Sequence, residues 1–345
     1  MKVLFIATQI NGNGGIPRFK RNFIKQLKSR KDTSVKILSL NDEEKEYNGA
    51  GRSKIKFILK FVWLLISFRP DHVVVGHLNV SQLSMFKFLV PGSFWHMILY
   101  GVEAWPTRNE LKKYYPKFNR YWAISNYTKK VFAENNGVPL EKIKIIVLTT
   151  PSDWDPKELN LTYEPFFVSI SRLDKSEGYK GVDKTIEAIH RHKDEMKALG
   201  YKYVIVGSGD DWQRHIDLVN NYGLNDIISL KTGISDAELK ELYRTTSCSI
   251  LPSNGEGFGF IFLEAMAYKK ASIGCKNCGS EDLIEHDKTG YLVASDVEDI
   301  WKHMKLLMSD PAKSKAMGEA GYLKREKEFK GARTENNMEE LLCVE

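Results

Sequence analysis

The strongest constraint on what this chain can fold into is its rhythm. From Lys2 to Val293, short apolar runs of strand length alternate with stretches whose apolar residues recur at helical spacing, and glycine-rich turns close several of the runs. Strand, turn and helix in repetition is the pattern of a parallel sheet covered on both faces. It occurs twice, on either side of Thr149–Pro165, a polar stretch with three prolines and two aspartates. We therefore expect an α/β chain of two doubly wound, Rossmann-like parallel-sheet domains facing across a cleft. The N-terminal domain takes 1–150, a linker 151–165, the C-terminal domain 166–329, and a charged tail, 330–345, packs back on the first domain. At 345 residues, either half is large enough to bury its own core.

In the second half, the apolar run Cys248–Ser253 leads into NGEGFGFIFLEAMA at 254–267. Glycines at 255, 257 and 259 let the backbone turn sharply and come close to a ligand. The spacing of Phe262, Met266 and Ala267 predicts a helix with Glu264 in its first turn. A glycine turn opening a helix leaves N–H groups and the positive end of the dipole outward, which suits a phosphate. Gly257, Phe258, Gly259, Phe260 and Ile261 are therefore candidate contacts to a phosphate-bearing ligand. Two carboxylates, Glu256 and Glu264, are out of place beside phosphate unless they accept hydroxyls of a sugar or ribose. An ordinary glycine turn with Glu264 as a helix-start acid is the other reading.

Phe166–Ser171 reads as a strand, with Arg172 at its end and Lys180 at the start of the next helix. A bidentate guanidinium and a point-charge ammonium aimed at one edge suit a diphosphate, with Lys175 in reserve. Ser235 and Glu238 form a capping box for a helix over 236–244. Cys275 and Cys278 have C-x-x-C spacing without a second pair, and we read them as two loop thiols. Asp153-Trp-Asp155 spells D-x-D but sits in the linker, and we expect no metal there.

In the first half, the strand at 2–8 meets a turn ending in Gly14 and Gly15. Apolar residues at 16, 19, 23, 24 and 27 then mark a helix. The glycines miss the G-x-G-x-x-G spacing, which disfavours a dinucleotide-dependent oxidoreductase. Lys54–Arg69 is apolar with lysines at 54, 56 and 60, and two readings stay open. It covers the sheet, or it lies in a membrane interface with its lysines toward anionic headgroups. Strands at 72–77 and 95–102 precede Glu103, a candidate for holding an acceptor. Ser125 reads as the N-cap of the next helix.

Charge divides unevenly between the halves. Residues 1–150 carry 25 Lys and Arg against 10 Asp and Glu, a net of +15, while the whole chain stands at +7. A half this basic favours anionic surfaces or substrates. No zinc-finger spacing or RNA-binding strand motif is present, so we expect no nucleic acid partner and prefer an anionic membrane surface or a phosphate-bearing acceptor. No apolar run reaches about 18 residues. The chain enters its first strand without a cleavage pattern and its four cysteines are scattered, so we expect a cytoplasmic protein, at most peripheral at the inner face of the membrane.

The Glu256–Glu264 pair, with Phe258, Gly259, Ala265 and Met266 around it, resembles the Glu-x7-Glu signature of retaining glycosyltransferases of the GT-B fold, especially family 4. Arg172 and Lys180 match that family's Gly-Arg-Leu…Lys-Gly element, with Ser171 in place of the glycine and a slightly longer loop. Gly14 and Gly15 match its Gly-Gly turn. Tyr100-Gly-Val-Glu103-Ala-Trp105 stands where relatives often read His-Gly-x-Glu-x-Trp, so a tyrosine replaces the histidine that faces the sugar. The resemblance implies a nucleotide-sugar donor and a saccharide or lipid-linked acceptor, with no metal or cofactor. It implies catalytic roles for Arg172, Lys180, Glu256, Tyr100 and Glu103. Donor contacts would come from Gly14, Gly15, Gly233, Ile234, residues 257–261 and Glu264. A GT-B nucleotide-sugar epimerase is the alternative.

Overall fold

A computed structural model describes residues 1–12, 14–150, 154–156, 160–330 and 332–343. The chain divides into two compact units, Met1–Leu148 with Thr334–Glu345 and Thr149–Arg333, and each carries one six-stranded sheet.

In the first unit, β1 (Lys2–Ala7) runs through the glycine turn into α1 (Gly15–Ser29). Then come β2 (Ser34–Ser39), α2 (Glu44–Tyr47), α3 (Lys54–Phe68), β3 (His72–Val75) and β4 (Phe94–Leu99). The unit continues with α4 (Asn109–Lys112), β5 (Arg120–Ala123), α5 (Asn126–Asn136) and β6 (Ile143–Ile145). All pairings are parallel, in the order β2-β1-β3-β4-β5-β6. The near-continuous apolar runs of β1, β3 and β4 follow from burial on both faces. Residues 78–89 wind as 3-10 turns kinked at Val80. Ser125 caps α5, its Oγ accepting from the Thr128 N–H at 3.1 Å. α3 buries Phe57, Phe61, Leu64, Leu65 and Phe68. Phe61 stands edge-on to Phe86 at 5.9 Å and to Trp95 at 6.2 Å.

The second unit starts its sheet with β7 (Phe166–Arg172), followed by α6 (Val182–Arg191), α7 (Lys193–Ala198), β8 (Lys202–Ser208) and α8 (Trp212–Asn221). Next are β9 (Ile228–Lys231), α9 (Asp236–Thr245), β10 (Cys248–Ile250), α10 (Phe260–Ala267) and β11 (Ala271–Cys275). β12 (Gly290–Val293), α11 (Val297–Ser309) and α12 (Pro311–Glu328) complete it. The order is β12-β11-β10-β7-β8-β9. The capping box at Ser235 and Glu238 is present on α9. The sheet reverses direction of growth between β7 and β10, and in the first unit between β1 and β3. In open α/β sheets the crevice outside the strand carboxyl ends at such a reversal is where ligands bind.

The stretch 151–165, expected as the linker, falls in the second unit where it is described. Trp154 is buried beside the Tyr243 ring at 6.0 Å. The Thr162 and Glu164 N–H groups donate to the Arg244 and Thr245 carbonyls at 3.2 and 2.8 Å. Of the D-x-D residues, Asp155 pairs with Arg325 and with Lys330, and Asp153 lies outside the described residues. α13 (Ala332–Leu342) counts with the first unit from Thr334 onward. Its Asn337 donates to the Ile145 carbonyl and accepts from the Val147 N–H, both at 2.9 Å, at the β6 edge.

Two predictions concern stability. Phe61→Ala leaves a hole between α3 and the sheet and should cost about 3–5 kcal/mol. Urea unfolding read by tryptophan fluorescence should show the first unit's transition moved and the second's unmoved. The other prediction concerns pH. His215 of α8 is buried, with Nε2 3.0 Å from an Asp183 oxygen on α6 and Nδ1 2.9 Å from the Asp211 carbonyl. Burial works to lower its pKa, but the bonds to Asp183 and Asp211 outweigh it and hold the pKa above the ordinary 6.5. A raised pKa stabilises the fold below 6.5, and that contribution is lost as pH climbs through the folded value. The second unit's unfolding free energy should therefore fall as pH rises above 6.5. Asp183→Asn should flatten this slope in urea titrations at a series of pH values.

Candidate functional site

β10 pairs with β7 only through Cys248–Phe167 and Ser249–Val168, and beyond these the strands part. The Ser169 hydroxyl bridges the opening by donating to the Ile250 carbonyl. Two loops sit outside it, 172–180 after β7 and 251–259 after β10. The Asn254 N–H donates to the Tyr179 carbonyl at 3.0 Å and ties them together. At Gly255 a Cβ would come 2.4 Å from the Tyr179 ring, so this approach requires glycine.

The junction brings two of the expected residues into contact. Lys180 Nζ lies 3.0 Å from Glu256 Oε2, and both side chains are largely buried. Burial works to lower the Lys180 pKa, but the Glu256 carboxylate outweighs it and holds the ammonium above the ordinary lysine value. Arg172, the last residue of β7, donates to Glu177 and has Asp174 at 3.9 Å. Glu177 is buried, and its Oε2 has no hydrogen-bond partner among the described residues. Arg172, Asp174, Glu177 and Lys180 line a shallow, open depression together with Asp183, Asp211 and His215.

The helix after the glycines differs from expectation in its start. α10 begins at Phe260, capped by Gly259 in a left-handed conformation with φ 99°. Glu264 therefore falls in the second turn, not the first. It points inward, 4 % exposed, and accepts from the Tyr243 hydroxyl at 2.8 Å. Phe258 and Ile261 are buried too, with Phe258 packed against Phe260 and Phe329 at 5.5 and 5.9 Å. Their side chains are thus core, and what this stretch can offer a ligand is backbone, including first-turn N–H groups that have no acceptor within the helix. Gly233 is exposed in the turn before α9, at φ 66°. Ile234 packs on the cluster of Phe166, Val168, Val204 and Val206, so its side chain serves the core.

In the first unit, Gly14 is the exposed N-cap of α1 and Gly15 its first residue. The turn before them is held from both sides. Asp42 accepts from the Ile10 and Asn11 N–H groups at 2.7 and 3.0 Å. Lys20 donates to the Gln9 carbonyl, and Arg21 to those of Ile10 and Gly12, at 3.0–3.1 Å. Burial pushes the Lys20 pKa down to about 8, against the pull of Glu103 and Asp42. Tyr100 stands where the resemblance implies a catalytic role. The hydroxyl is buried without a hydrogen-bond partner among the described residues, because the ring turns inward against Phe19 and beneath Lys20. Glu103 is half-buried and accepts from the Tyr100 N–H at 2.7 Å. Burial raises its pKa, while the surrounding N–H groups and Lys20 oppose the rise.

Glu177, Tyr179, Tyr243 and Lys20 were not foreseen. Lys20 left a signal, since it shares a helix face with the buried Ile24 and Leu27. Glu177 and Tyr179 lie in a loop without periodicity, and Tyr243 reads only as an apolar helix position. The C-x-x-C thiols are both buried, the Cys278 Sγ lying 3.2 Å from the Cys275 carbonyl.

Known proteins add the following. Residues 152–324 match the family of glycosyl transferases group 1. The chain is 27 % identical over 215 residues to the GDP-mannose-dependent alpha-(1-6)-phosphatidylinositol monomannoside mannosyltransferase of Mycobacterium tuberculosis, a match covering 57 % of this chain and 54 % of that protein. It spans about half the length of such curated relatives. The crystal structure of Anabaena HepE in complex with UDP and glucose superposes with TM-score 0.75 at 16 % identity over all of both chains. The apo lipopolysaccharide outer core galactosyltransferase WaaB superposes with TM-score 0.77 at 18 % identity over 98 % of each. These likenesses show a shared fold, the GT-B arrangement of two parallel-sheet units. With half of its residues in the family match, the chain belongs to the glycosyl transferases group 1.

Proposed function

We propose that the chain is a glycosyltransferase that moves a sugar from a nucleotide-sugar donor to an acceptor hydroxyl, with retention at the anomeric carbon. One observation carries the reading. Lys180 and Glu256 meet at 3.0 Å at the sheet reversal of the second unit, beside the start of α10. Family membership supports it, as do the UDP and glucose in the Anabaena neighbour and the GDP-mannose dependence named for the mycobacterial relative. The donor is UDP-, GDP- or dTDP-linked, and the acceptor is a saccharide or lipid-linked precursor.

In this reading the diphosphate enters beside Lys180 and Arg172 and takes over their contacts with Glu256 and Glu177. Glu256 is then released to accept a hydroxyl of the donor sugar. The bond from the anomeric carbon to the phosphate oxygen breaks, and charge grows on the leaving diphosphate. Lys180, Arg172 and the first-turn N–H groups of α10 stabilise that charge where it develops. The acceptor oxygen bonds to the same face of the sugar, and its proton passes to the departing phosphate. Glu264, oriented by Tyr243, is assigned to the ribose hydroxyls, which requires its carboxylate to become reachable when donor binds. Because protein cations neutralise the leaving group, the reaction needs no divalent metal. Gly14 and Gly15 are assigned to the donor and Glu103 to the acceptor, with the chain at the inner membrane face where lipid-linked acceptors are found.

Screening UDP-, GDP- and dTDP-sugars should reveal one donor that raises the melting temperature, because ligand binding to the folded state alone stabilises it. Glu256→Gln should lower kcat/KM about 100-fold or more yet keep a thermal shift, because the bound diphosphate itself favours the charged form of Lys180, whereas Lys180→Met should weaken donor binding as well. Product anomers assigned by NMR should match the donor, and EDTA should leave the rate unchanged. Undiminished turnover by Glu256→Gln, or an inverted anomer, would sink the mechanism. Donor consumed without acceptor to give an epimerised nucleotide sugar would replace it with epimerase chemistry.

A further inference from the structure

α3 is apolar on two sides. The row at Phe57, Phe61, Leu64, Leu65 and Phe68 is buried in the unit's core. A second row recurs at helical spacing on the other side, where Ile55, Leu59, Trp63 and Ile66 are 75, 65, 60 and 55 % exposed. Packing on the sheet explains the first row, and nothing among the described residues covers the second. Soluble helices place charge on that face, and a contiguous apolar row left in water marks a surface that meets something else. The neighbouring 3-10 segment, which touches α3 through Phe86, exposes Met85 and Phe88 as well.

Charge identifies the occupant. Residues 52–69 contain five Lys and Arg and no Asp or Glu. Arg52 and Lys54 are exposed at one end of the helix and Arg69 at the other. On β2, the exposed Lys36 holds its Nζ 5.6 Å from the Trp63 ring. Glu44 pairs with Lys56 and Lys60, so those two contribute less. An apolar row with a tryptophan, bracketed by cations, fits the boundary between anionic headgroups and acyl chains. A second copy of this chain would bring one basic surface against another, which like-charge repulsion opposes. No helix among the described residues is long and apolar enough to cross a membrane, so the contact is with the surface.

We infer that the Ile55–Ile66 face of α3 docks the first unit flat on an anionic lipid bilayer. The inference is independent of the chemistry assigned to the second unit, and its test needs no donor or acceptor. The full chain is sedimented with vesicles of phosphatidylcholine alone and of phosphatidylcholine mixed with phosphatidylglycerol. Binding should occur with the anionic vesicles, weaken with added salt, and shift tryptophan emission to the blue. The double variant Leu59→Ser, Trp63→Ser should bind about tenfold or more weakly, while its circular dichroism and urea midpoint stay near those of the parent because both positions face water. If that variant does not fold, Ile55→Ser with Ile66→Ser serves in its place. Arg52→Glu with Lys54→Glu should weaken binding with the emission of the unbound protein unchanged. Failure of the parent to sediment with anionic vesicles, equal binding to neutral ones, or undiminished binding by the serine variants overturns the inference. So does a dimer, seen by light scattering, that the serine variants dissociate, since the face would then belong to a second copy.

Discussion

The candidate site depends on how closely two loops come together outside β7 and β10. The strands pair over only two residues each before they diverge, so the sheet's own hydrogen bonds stop short of the functional residues. A backbone bond from Asn254 to Tyr179 takes over from them, and beside it Gly255 leaves room for the Tyr179 ring. Side chains 76 positions apart in sequence are thereby fixed at hydrogen-bond distance. Long-range pairing of this kind costs loop-closure entropy, and the paired strands β7 and β10 share that cost with the site contacts.

Much of this was legible in the sequence. The alternating pattern predicts two parallel α/β sheets, and the strands, the Ser125 cap and the Ser235–Glu238 capping box all occur where the residues place them. Local chemistry explains that success, because β-rich runs, caps and glycine turns act over a few residues. What stayed hidden depends on which way a side chain turns. Glu264 was placed in a first turn because glycines blur where a helix starts, and Gly259 settles the matter only through its left-handed cap. Tyr100 stands in line with its motif, yet its ring turns inward against Phe19 and its hydroxyl is buried. Prolines at 151–165 suggested a linker, and the structure instead packs Trp154 on Tyr243, a contact between residues 89 positions apart that no local pattern announces.

The two units use their charge differently. The first gathers positive charge on its surface, where water screens it and partners of opposite sign feel it. Its buried Lys20 is an exception, and there the neighbouring carbonyl and carboxylates keep a lysine inside at a lowered pKa of about 8. The second unit instead places its important cations in pairs with acids, Lys180 with Glu256 and Arg172 with Glu177.

That pairing resolves what made the glycine-rich stretch odd at the outset, namely carboxylates beside a site suited to phosphate. A lysine as buried as Lys180, left alone, would tend to lose its proton and with it the charge that an anion requires, since burial disfavours the charged form. Glu256 prevents this and holds the pKa above the ordinary value. The acid therefore keeps the base charged. A diphosphate carries more charge than one carboxylate and offers more acceptor oxygens, so it competes well for the same ammonium. In the proposed reading the acid displaced in that exchange accepts a hydroxyl of the donor sugar. In the proposed reading one glutamate both keeps the lysine charged and serves the sugar, which would account for its place in the glycine-rich loop.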